Sequence, residues 1–288
     1  MTTHIVIMAG GVGSRLYPLS TPQHPKQFLD LLGTGRTLIQ MTYDRFRVAS
    51  PDALFWVVTS AAYKHFIDAQ LPDIPSERVL LEPEARNTAP CISYVSRKIA
   101  SRYPNAVVVV TPSDAYVSDY DAFALTIRPA VHFASLHRAI VCVGICPDSP
   151  NVGYGYISAE LDGTRIVPVR AFKEKPDEAT VRRYLSEGGY LWNAGIFVWS
   201  IATIGQELRR HAPLMEDVMD ELASSLYTDR EASELQRLFP QCPKISIDYA
   251  VMERSDCAYV VPAGWEWSDL GSFEAVEKVT GRKIDVKK

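Results

Sequence analysis

A glycine-rich loop near the start of the chain is followed by two cations at short spacing. Residues 9–15 read AGGVGSR directly after the apolar run HIVIM, so glycines and Arg15 follow a predicted strand. Lys26 comes next, after a stretch stiffened by prolines. Consecutive backbone N–H groups in a glycine loop can surround phosphates without obstruction by side chains. Two fixed cations beside such a loop suit a triphosphate whose leaving group must be neutralised.

Three explanations of this loop compete on the residues alone. A dinucleotide-binding fingerprint needs a third glycine where Leu16 stands. A phosphate-binding loop of the Gly-Lys-Ser/Thr type needs a lysine that the loop lacks. A plain strand-to-helix turn is the third explanation, but a turn requires neither Arg15 nor Lys26. The cations therefore favour a nucleotide ligand.

Further polar residues lie at the predicted ends of strands or inside them. Asp114 follows VVVVTPS, at the carboxyl end of a strand, where open α/β sheets bind ligands. Asp269 lies in WEWSDLGSF, a turn between a strand and a short helix, and a helix cap is the alternative role for it. Asn193 interrupts the apolar strand WNAGIFVW. Burying an unpaired amide costs about 1–3 kcal/mol, so a ligand or a backbone partner is expected for it.

The segment FKEKP places Glu174 beside Lys175 at the end of another predicted strand. Alternation along a strand predicts that the two side chains point to opposite faces. A structural ion pair is the alternative interpretation.

The elements that must position these residues alternate between strands and helices in the first half of the chain. Helical spacing predicts helices over 37–49 and 87–100, the second with Thr88 as N-cap and Pro90 in its first turn. Apolar runs are typical of parallel strands covered on both faces. Such runs predict strands at 4–8, 54–58, 79–81, 106–110 and 140–145.

After residue 150 the pattern changes to longer, more polar segments that predict an antiparallel addition to the sheet. A helix (DEATVRRYLSEG), a strand (LWNAGIFVWS) and a second helix (IATIGQELRR) follow. No linker or repeat interrupts the sequence, so we expect one domain over 1–280, with a first part of about 1–145, a second part of about 146–280 and a solvated tail at 281–288. The predicted class is α/β, with a Rossmann-like mixed sheet, helices on both faces and a smaller lobe.

Composition excludes several classes of function. The 288 residues are 47% hydrophobic and 22% charged with a formal net charge of −4, which gives no electrostatic footprint for nucleic acid. The start resembles no secretory leader, and no apolar run approaches the roughly 20 residues of a membrane span, so a cytoplasmic protein without a membrane partner is expected. Cys142 and Cys146 would lie roughly 13 Å apart on a strand, too far for a disulfide, and we expect them to be buried small apolar residues.

The continuation of the loop, AGGVGSRLYPLSTPQHPKQF, resembles the signature G-G-x-G-x-R-L-x-P-L-(S/T) and P-K of the nucleotidyltransferases that make nucleotide sugars. The resemblance extends from residue 4 to about 279 and implies a glycosyltransferase-A-like fold. Members of the family usually continue into a C-terminal β-helix or a cupin-like isomerase domain. The chain also resembles one branch of this family, the mannose-1-phosphate guanylyltransferases (GDP-mannose pyrophosphorylases). The segments that carry this resemblance are EPEARNTAP, PKQF, TPSDAYV, FKEKP, WNAGIFVW, SIDYAVME and WSDLGSF.

The resemblance implies transfer of GMP from GTP to mannose 1-phosphate, which gives GDP-mannose and pyrophosphate. It implies a first part that binds the nucleotide and a second that binds the sugar. The implied catalytic residues are Arg15, Lys26 and Asp114, with both cations on the β- and γ-phosphates. The implied nucleotide contacts are Ala9, Gly10, Gly11, Gly13, Glu82, Arg86, Asn87 and Thr88. The implied sugar-phosphate contacts are Gly153, Glu174, Lys175 and Asn193. One Mg²⁺ is expected on Asp114 and Asp269.

Two alternatives stay open at this point. A related enzyme could use another hexose 1-phosphate or another nucleotide, and a regulatory subunit could keep the fold without catalysis. The second alternative does not explain why the cations and carboxylates of all these motifs are present together. The expected partners are the two substrates, with a homodimer as a candidate assembly.

Overall fold

The protein was analysed as a computed structural model, which describes residues 1–11, 13–161 and 165–284. The strands are β1 Thr3–Met8, β2 Leu54–Ser60, β3 Val79–Glu82, β4 Val107–Pro112, β5 Tyr116–Val117, β6 Ile140–Ile145, β7 Tyr156–Ala159, β8 Val167–Lys173, β9 Tyr190–Ser200, β10 Ala258–Pro262 and β11 Trp267–Ser268. The helices are α1 Leu38–Ala49, α2 Lys64–Gln70, α3 Thr88–Arg102, α4 Tyr120–Leu136, α5 Glu178–Glu187, α6 Ile201–His211, α7 Pro213–Ala223, α8 Glu231–Leu238 and α9 Phe273–Thr280.

One large mixed sheet runs through the molecule in the order β3-β2-β1-β4-β9-β6-β10-β8-β7. Strands β3, β2, β1 and β4 are mutually parallel, and so are β6 and β10. Strand β9 runs antiparallel to β4 and β6, and its first residues also pair antiparallel with β7. The predicted Rossmann-like mixed sheet is therefore confirmed.

Apolar side chains on both faces of the sheet explain why the central strands lack polar alternation. In β1, Val6 packs into one core cluster together with residues of α3, α6 and α7. Its neighbours Ile5 and Ile7 pack into a second cluster together with residues of α1 and α4. A strand covered by helices on both sides is mainly apolar, as the run HIVIM is apart from the buried His4, which accepts a hydrogen bond from Trp56.

Strand β9 links the two predicted parts of the chain, because it belongs to the second part yet lies between β4 and β6 of the first. Its register pairs Val110 with Phe197, so the amino-terminal half of β9 extends beyond the carboxyl end of β4. The predicted antiparallel addition is present as β7 and β8 at the edge of the same sheet. One sheet thus contains strands from both predicted parts.

Several local predictions need correction. Cys142 is buried in β6, but Cys146 follows that strand and is exposed, so the prediction of a buried apolar role is wrong for Cys146. In the tail predicted to be solvated, Ile284 packs against a small apolar cluster, and residues 285–288 lie outside the described part. Over the described ranges, the helices are too short or too polar to cross a membrane.

Candidate active site

A cavity of about 810 Å³ opens at the carboxyl ends of β1, β3 and β4. The chain comes to this edge because parallel strands end together there, and the antiparallel β9 passes the same edge from the other direction. Most of the residues predicted to act on substrates line it: Gly10, Gly11, Arg15, Glu82, Arg86, Asn87, Thr88, Asp114, Gly153, Glu174, Lys175, Asn193 and Asp269. Ala9, Gly13 and Lys26 lie behind this wall.

The glycine loop is held from behind by Gln27, a residue that the sequence analysis did not single out. The Gln27 Nε2 group donates to the carbonyls of Ala9, at 3.1 Å, and Gly11, at 2.8 Å. Gly13 has φ of +70°, and a Cβ atom there would lie 2.5 Å from Cβ of Lys26. The loop therefore needs glycine at residue 13 for its conformation and its packing, while Gly10 and Gly11 face the cavity.

Lys26 joins the two aspartates that come from distant parts of the sequence. Its side chain is 4% exposed, and its ammonium donates to Asp114 Oδ2 at 2.8 Å and to the backbone carbonyl of Asp269. A buried lysine is costly unless its charge is compensated, and here a carboxylate and a carbonyl compensate it. Whether Lys26 also contacts a triphosphate stays a prediction.

The Asp269 carboxylate is positioned by three partners. Its Oδ1 atom accepts from the Tyr154 hydroxyl at 2.8 Å and from the backbone N–H of Gly271 at 2.9 Å. Its Oδ2 atom lies 3.3 Å from Arg15, a largely exposed side chain. Ser272 caps α9, so the interpretation of Asp269 as a helix cap is wrong.

Tyr154 was also absent from the predictions, and it supports Asp269 from an aromatic wall. Its ring lies edge-on to Trp192, with centroids 5.0 Å apart, and to Trp267, with centroids 5.2 Å apart. Burial, followed by the charge of Asp269, raises the pKa of the Tyr154 hydroxyl. The hydroxyl therefore stays protonated and can donate to Asp269. The motif GYGYI contained this residue, but nothing in its spacing indicated a contact with residue 269.

The residues around Asp114 and Asp269 fit a divalent cation. Both aspartates line the cavity, and Lys26 bonds the carboxylate of Asp114 and the backbone carbonyl of Asp269. Lys26 engages Oδ2 of Asp114, while 35% of that side chain remains exposed. Magnesium prefers oxygen ligands and is commonly held by one or two carboxylates together with phosphates and waters. The donor set of this corner of the cavity matches that preference.

The loop between β3 and α3 forms another wall. Asn87, with φ of +68°, caps α3 by accepting from the N–H of Thr88, so the prediction of Thr88 as N-cap is wrong. Thr88 instead accepts from the N–H of Ile247 at 2.9 Å. Arg86 donates to the carbonyl of Cys242 at 2.9 Å. These bonds fasten the loop to the segment before residue 248.

Glu82 ends β3 beside the glycine loop. Burial raises the pKa of its carboxyl to about 7, and its Oε1 atom is buried without a hydrogen-bond partner among the described residues. A Cβ atom on Gly10 would lie 3.5 Å from Glu82 Oε2, so the carboxyl and the glycine loop are adjacent. This carboxyl can both donate and accept a hydrogen bond near neutral pH.

Glu174 and Lys175 are not on opposite faces of a strand, because β8 ends at Lys173. Lys175 takes φ of +44°, and its ammonium lies 2.9 Å from Glu174 Oε1. This hydrogen bond raises the pKa of Lys175. The predicted alternation is therefore wrong, and the alternative ion pair is present inside the cavity.

Asn193 has two partners rather than one. Its side-chain oxygen accepts from the N–H of Gly195 at 3.0 Å, and its Nδ2 group donates to Asp248 at 3.1 Å. A Cβ atom on Gly155 would lie 2.6 Å from Glu174 Oε2, so Gly155 lets the chain pass close to this group. Gly153 is exposed at the mouth of the cavity.

Asp248 is a cavity residue that the sequence analysis did not name. It begins a π-helical turn, Asp248–Met252, and burial followed by the charge of Glu174 raises the pKa of its carboxyl to about 6. Such turns are frequent at functional sites. The signal was present in SIDYAVME, where Asp248 stands between the apolar residues Ile247 and Tyr249.

A second acidic cluster lies away from the cavity, at the end of α6. Glu207, Asp256 and Cys257 bring their ligand atoms together there. Arg138 contacts both carboxylates, and Arg210 lies 2.7 Å from Asp256. The two guanidinium groups neutralise this cluster, so it has the character of an ion-pair network.

Comparison with known proteins agrees with this fold. The family model described as nucleotidyl transferase matches residues 4–284. The chain therefore belongs to the nucleotidyl transferase family. Its mixed α/β sheet, with a glycine loop at one edge, is the fold on which this chain builds the cavity.

Individual relatives are more specific. The alginate biosynthesis protein AlgA of Pseudomonas aeruginosa PAO1 is 35% identical over 280 residues, which cover 94% of this chain and 57% of that protein. The mannose-1-phosphate guanylyltransferase of Escherichia coli K12 is 34% identical over 290 residues, which cover 97% of this chain and 60% of that protein. The chain thus spans under two thirds of the length of these curated relatives.

Solved structures give the same fold. The crystal structure of mannose-1-phosphate geranyltransferase from Thermus thermophilus superposes with a TM-score of 0.87 at 31% identity, over 98% of this chain and 80% of that chain. A UDP-glucose pyrophosphorylase complexed with UDP-glucose superposes with a TM-score of 0.64 at 14% identity, over 98% of both chains, which shows the shared fold alone.

Proposed function

We propose that the protein transfers GMP from GTP to mannose 1-phosphate and releases pyrophosphate. The observation that carries this proposal is the single cavity in which Asp114 and Asp269 meet at Lys26, with the glycine loop on one side and Glu174, Lys175 and Asn193 on the other. The curated relatives named above supply the choice of nucleotide and sugar.

The reaction places two anions against each other. An oxygen of the sugar phosphate attacks the α-phosphorus of GTP in line, and the bond from that phosphorus to the leaving pyrophosphate breaks. The protein has little covalent chemistry to perform, so its contribution is alignment and stabilisation of the developing charge. Arg15 at the mouth and the backbone N–H groups of Gly10 and Gly11 would serve the triphosphate.

Asp114 and Asp269 would hold a magnesium ion in this proposal. The ion, when bound, would offset the repulsion between the two phosphates and stabilise charge on the reacting phosphoryl group. Tyr154 and Gly271 keep Asp269 oriented, and Lys26 keeps Asp114 beside it. These contacts fix both carboxylates before any substrate enters, which is the preorganisation that such catalysis requires.

The sugar phosphate would lie between β9 and the turn after β8. Lys175 would exchange its contact with Glu174 for the phosphate, which frees the Glu174 carboxylate to accept from sugar hydroxyls. Asn193 can turn its amide to the sugar only within the limits set by Gly195 and Asp248, to which it is already bonded. The pair Glu174 and Lys175 is thus suited to a ligand that carries both hydroxyls and a phosphate.

The test is pyrophosphate release from a panel of nucleoside triphosphates and hexose 1-phosphates. GTP with mannose 1-phosphate should exceed UTP, dTTP or ATP with glucose 1-phosphate by about tenfold or more in kcat/KM, which corresponds to about 1.4 kcal/mol. Equal or better turnover with dTTP or UTP would contradict the guanylyl assignment and leave the family membership intact. No release from any pair would contradict enzymatic activity altogether.

The cellular setting follows from the substrates as part of this proposal. GTP and sugar phosphates are cytoplasmic metabolites, so the cytoplasm is the proposed location. The candidate homodimer stays a prediction, and sedimentation of the purified chain tests it.

A further inference from the structure

Two side chains of α1 hold the backbone on both sides of Asp114. The Thr42 hydroxyl lies 3.2 Å from the carbonyl of Ser113, and it also donates to its own helix at Leu38. The Arg45 Nη1 group donates to the carbonyl of Ala115 at 2.8 Å. The peptide unit before Asp114 and the peptide unit that follows Ala115 are therefore both bonded to the same helix.

Arg45 holds this backbone at a cost to the free energy of folding. Its side chain is buried, and its Nε and Nη2 groups have no hydrogen-bond partner among the described residues. Burial lowers the pKa of the guanidinium to about 10, so the group stays charged. A buried charge with donors left unpaired opposes folding, and an apolar side chain of similar volume is often neutral or stabilising in such a place. The single hydrogen bond to Ala115 offsets only a small part of the free energy that burial of this charge costs.

The surroundings of Arg45 show where its charge acts. The ring of Phe123 lies 5.7 Å from the guanidinium carbon and offers no counterion. The carboxylate whose charge favours the guanidinium is Asp114. Tyr120 is a neutral hydroxyl that donates to the carbonyl of Met41. Asp114 therefore experiences the charge of Arg45 in addition to its direct contact with Lys26.

We propose that Arg45 is a positioning residue for Asp114, with Thr42 as its partner on the preceding peptide unit. This inference rests on the proposed function, because it needs Asp114 to act on a metal ion. Functional side chains must be held within about 0.5 Å of their working position, and contacts behind the metal ligands supply that restraint. Removal of such outer contacts typically costs about 10–100-fold in metal affinity or activity.

The experiment compares Arg45→Met, Arg45→Lys and Thr42→Val with the wild type. The readouts are Mn²⁺ affinity by electron paramagnetic resonance in the presence of GDP-mannose, the Mg²⁺ dependence of pyrophosphate release, and the melting temperature. Arg128→Met is the matched control, because Arg128 donates to the carbonyls of Val48 and Ala49 and thus joins α4 to the far end of α1.

Arg45→Met should bind Mn²⁺ about tenfold more weakly and need correspondingly more Mg²⁺, while its melting temperature does not fall below that of Arg128→Met. Arg45→Lys can still donate to Ala115 and should recover most of the affinity. Thr42→Val should weaken Mn²⁺ binding by a smaller factor, since it removes a single hydroxyl that is shared between the carbonyls of Leu38 and Ser113. Arg128→Met should bind Mn²⁺ like the wild type.

The proposal is overturned if Arg45→Met keeps wild-type Mn²⁺ affinity, or if Arg128→Met loses as much Mn²⁺ affinity as Arg45→Met does. If Arg45→Met does not fold, Arg45→Lys and Thr42→Val decide: wild-type Mn²⁺ affinity in both overturns the proposal. Wild-type protein that binds Mn²⁺ but releases no pyrophosphate from any substrate pair would contradict the proposed function alone. Wild-type protein that binds no Mn²⁺ would overturn the positioning role as well.

Discussion

Replacement of Asp269 by asparagine separates the metal role of this residue from any structural role. The substitution keeps the size of the side chain and removes its charge. The amide oxygen can still accept from Tyr154 and from the N–H of Gly271, and α9 keeps its cap at Ser272. What is lost is the ion pair with Arg15, at 3.3 Å, in which the Arg15 side chain is 70% exposed.

The structural cost of Asp269→Asn should therefore be small. Exposed ion pairs contribute about 0–1 kcal/mol, so the free energy of unfolding should fall by less than about 1 kcal/mol. In a chain of this length that loss lowers the melting temperature by about 2 °C. Turnover, in contrast, should fall about 100-fold or more, which corresponds to about 2.7 kcal/mol in the transition state, because one of two carboxylate ligands is gone.

The assay is pyrophosphate release at saturating Mg²⁺, GTP and mannose 1-phosphate, together with thermal unfolding of each variant. Asp119→Asn is the matched control, because Asp119 is an exposed acid that accepts from the N–H groups of Asp121 and Ala122 at the start of α4. Asp119→Asn removes one negative charge from a side chain that accepts from backbone N–H groups, as Asp269→Asn does. The Asp119→Asn variant should keep wild-type turnover. The double variant Asp114→Asn with Asp269→Asn should be scarcely slower than either single variant, since in the proposal both residues serve one ion. Asp269→Asn with more than about a tenth of wild-type turnover would refute the two-aspartate site.

Two further predictions concern the sides of the cavity. Lys175→Ala should chiefly raise the KM for mannose 1-phosphate, whereas Arg15→Ala should chiefly lower kcat; steady-state kinetics with both substrates varied test this, and identical effects would show that the separate roles are wrong. Burial raises the pKa of Glu82 from 4.5 to about 7, so the stability that its protonated form contributes is complete below pH 4.5 and is lost as pH rises through 7. Urea unfolding between pH 5 and 8 should therefore show a smaller decline for Glu82→Gln than for the wild type, while Asp248, whose pKa is raised to about 6, titrates alike in both proteins. Equal declines would mean that Glu82 does not titrate in this range.

The strands of the first half could be predicted because strands that are buried on both faces consist mainly of apolar residues. Residues 5–7 belong to the two cores and Met8 packs against one of them, so the apolar part of HIVIM marks β1 directly. Helix α7 was missed although its signal was present: Met215, Met219 and Leu222 follow helical spacing, and all three are buried. A closer count of periodicity would have found it.

The position of β9 could not be predicted from its own residues. The pattern YLWNAGIFVWS predicts a buried strand, but the choice between the edge and the centre of the sheet depends on partners in β4 and β6. The same limit applies to side chains. Strand alternation failed for Glu174 and Lys175 because the strand ends one residue earlier, and the end of a strand is set by its neighbours.

The cations of the cavity that are implied for phosphates are each paired with an acid in the structure. Arg15 contacts Asp269, Lys26 contacts Asp114, and Lys175 contacts Glu174, so each cation implied for a phosphate contacts an acid implied for the metal or the sugar. In the proposed substrate complex, Arg15 and Lys175 would each exchange an acid for a phosphate. Arg15 and Lys175 are exposed and can move at little cost, whereas Lys26 is buried and cannot. The fixed cation therefore belongs to the aspartate pair, and the two mobile cations are the ones free to follow the phosphates.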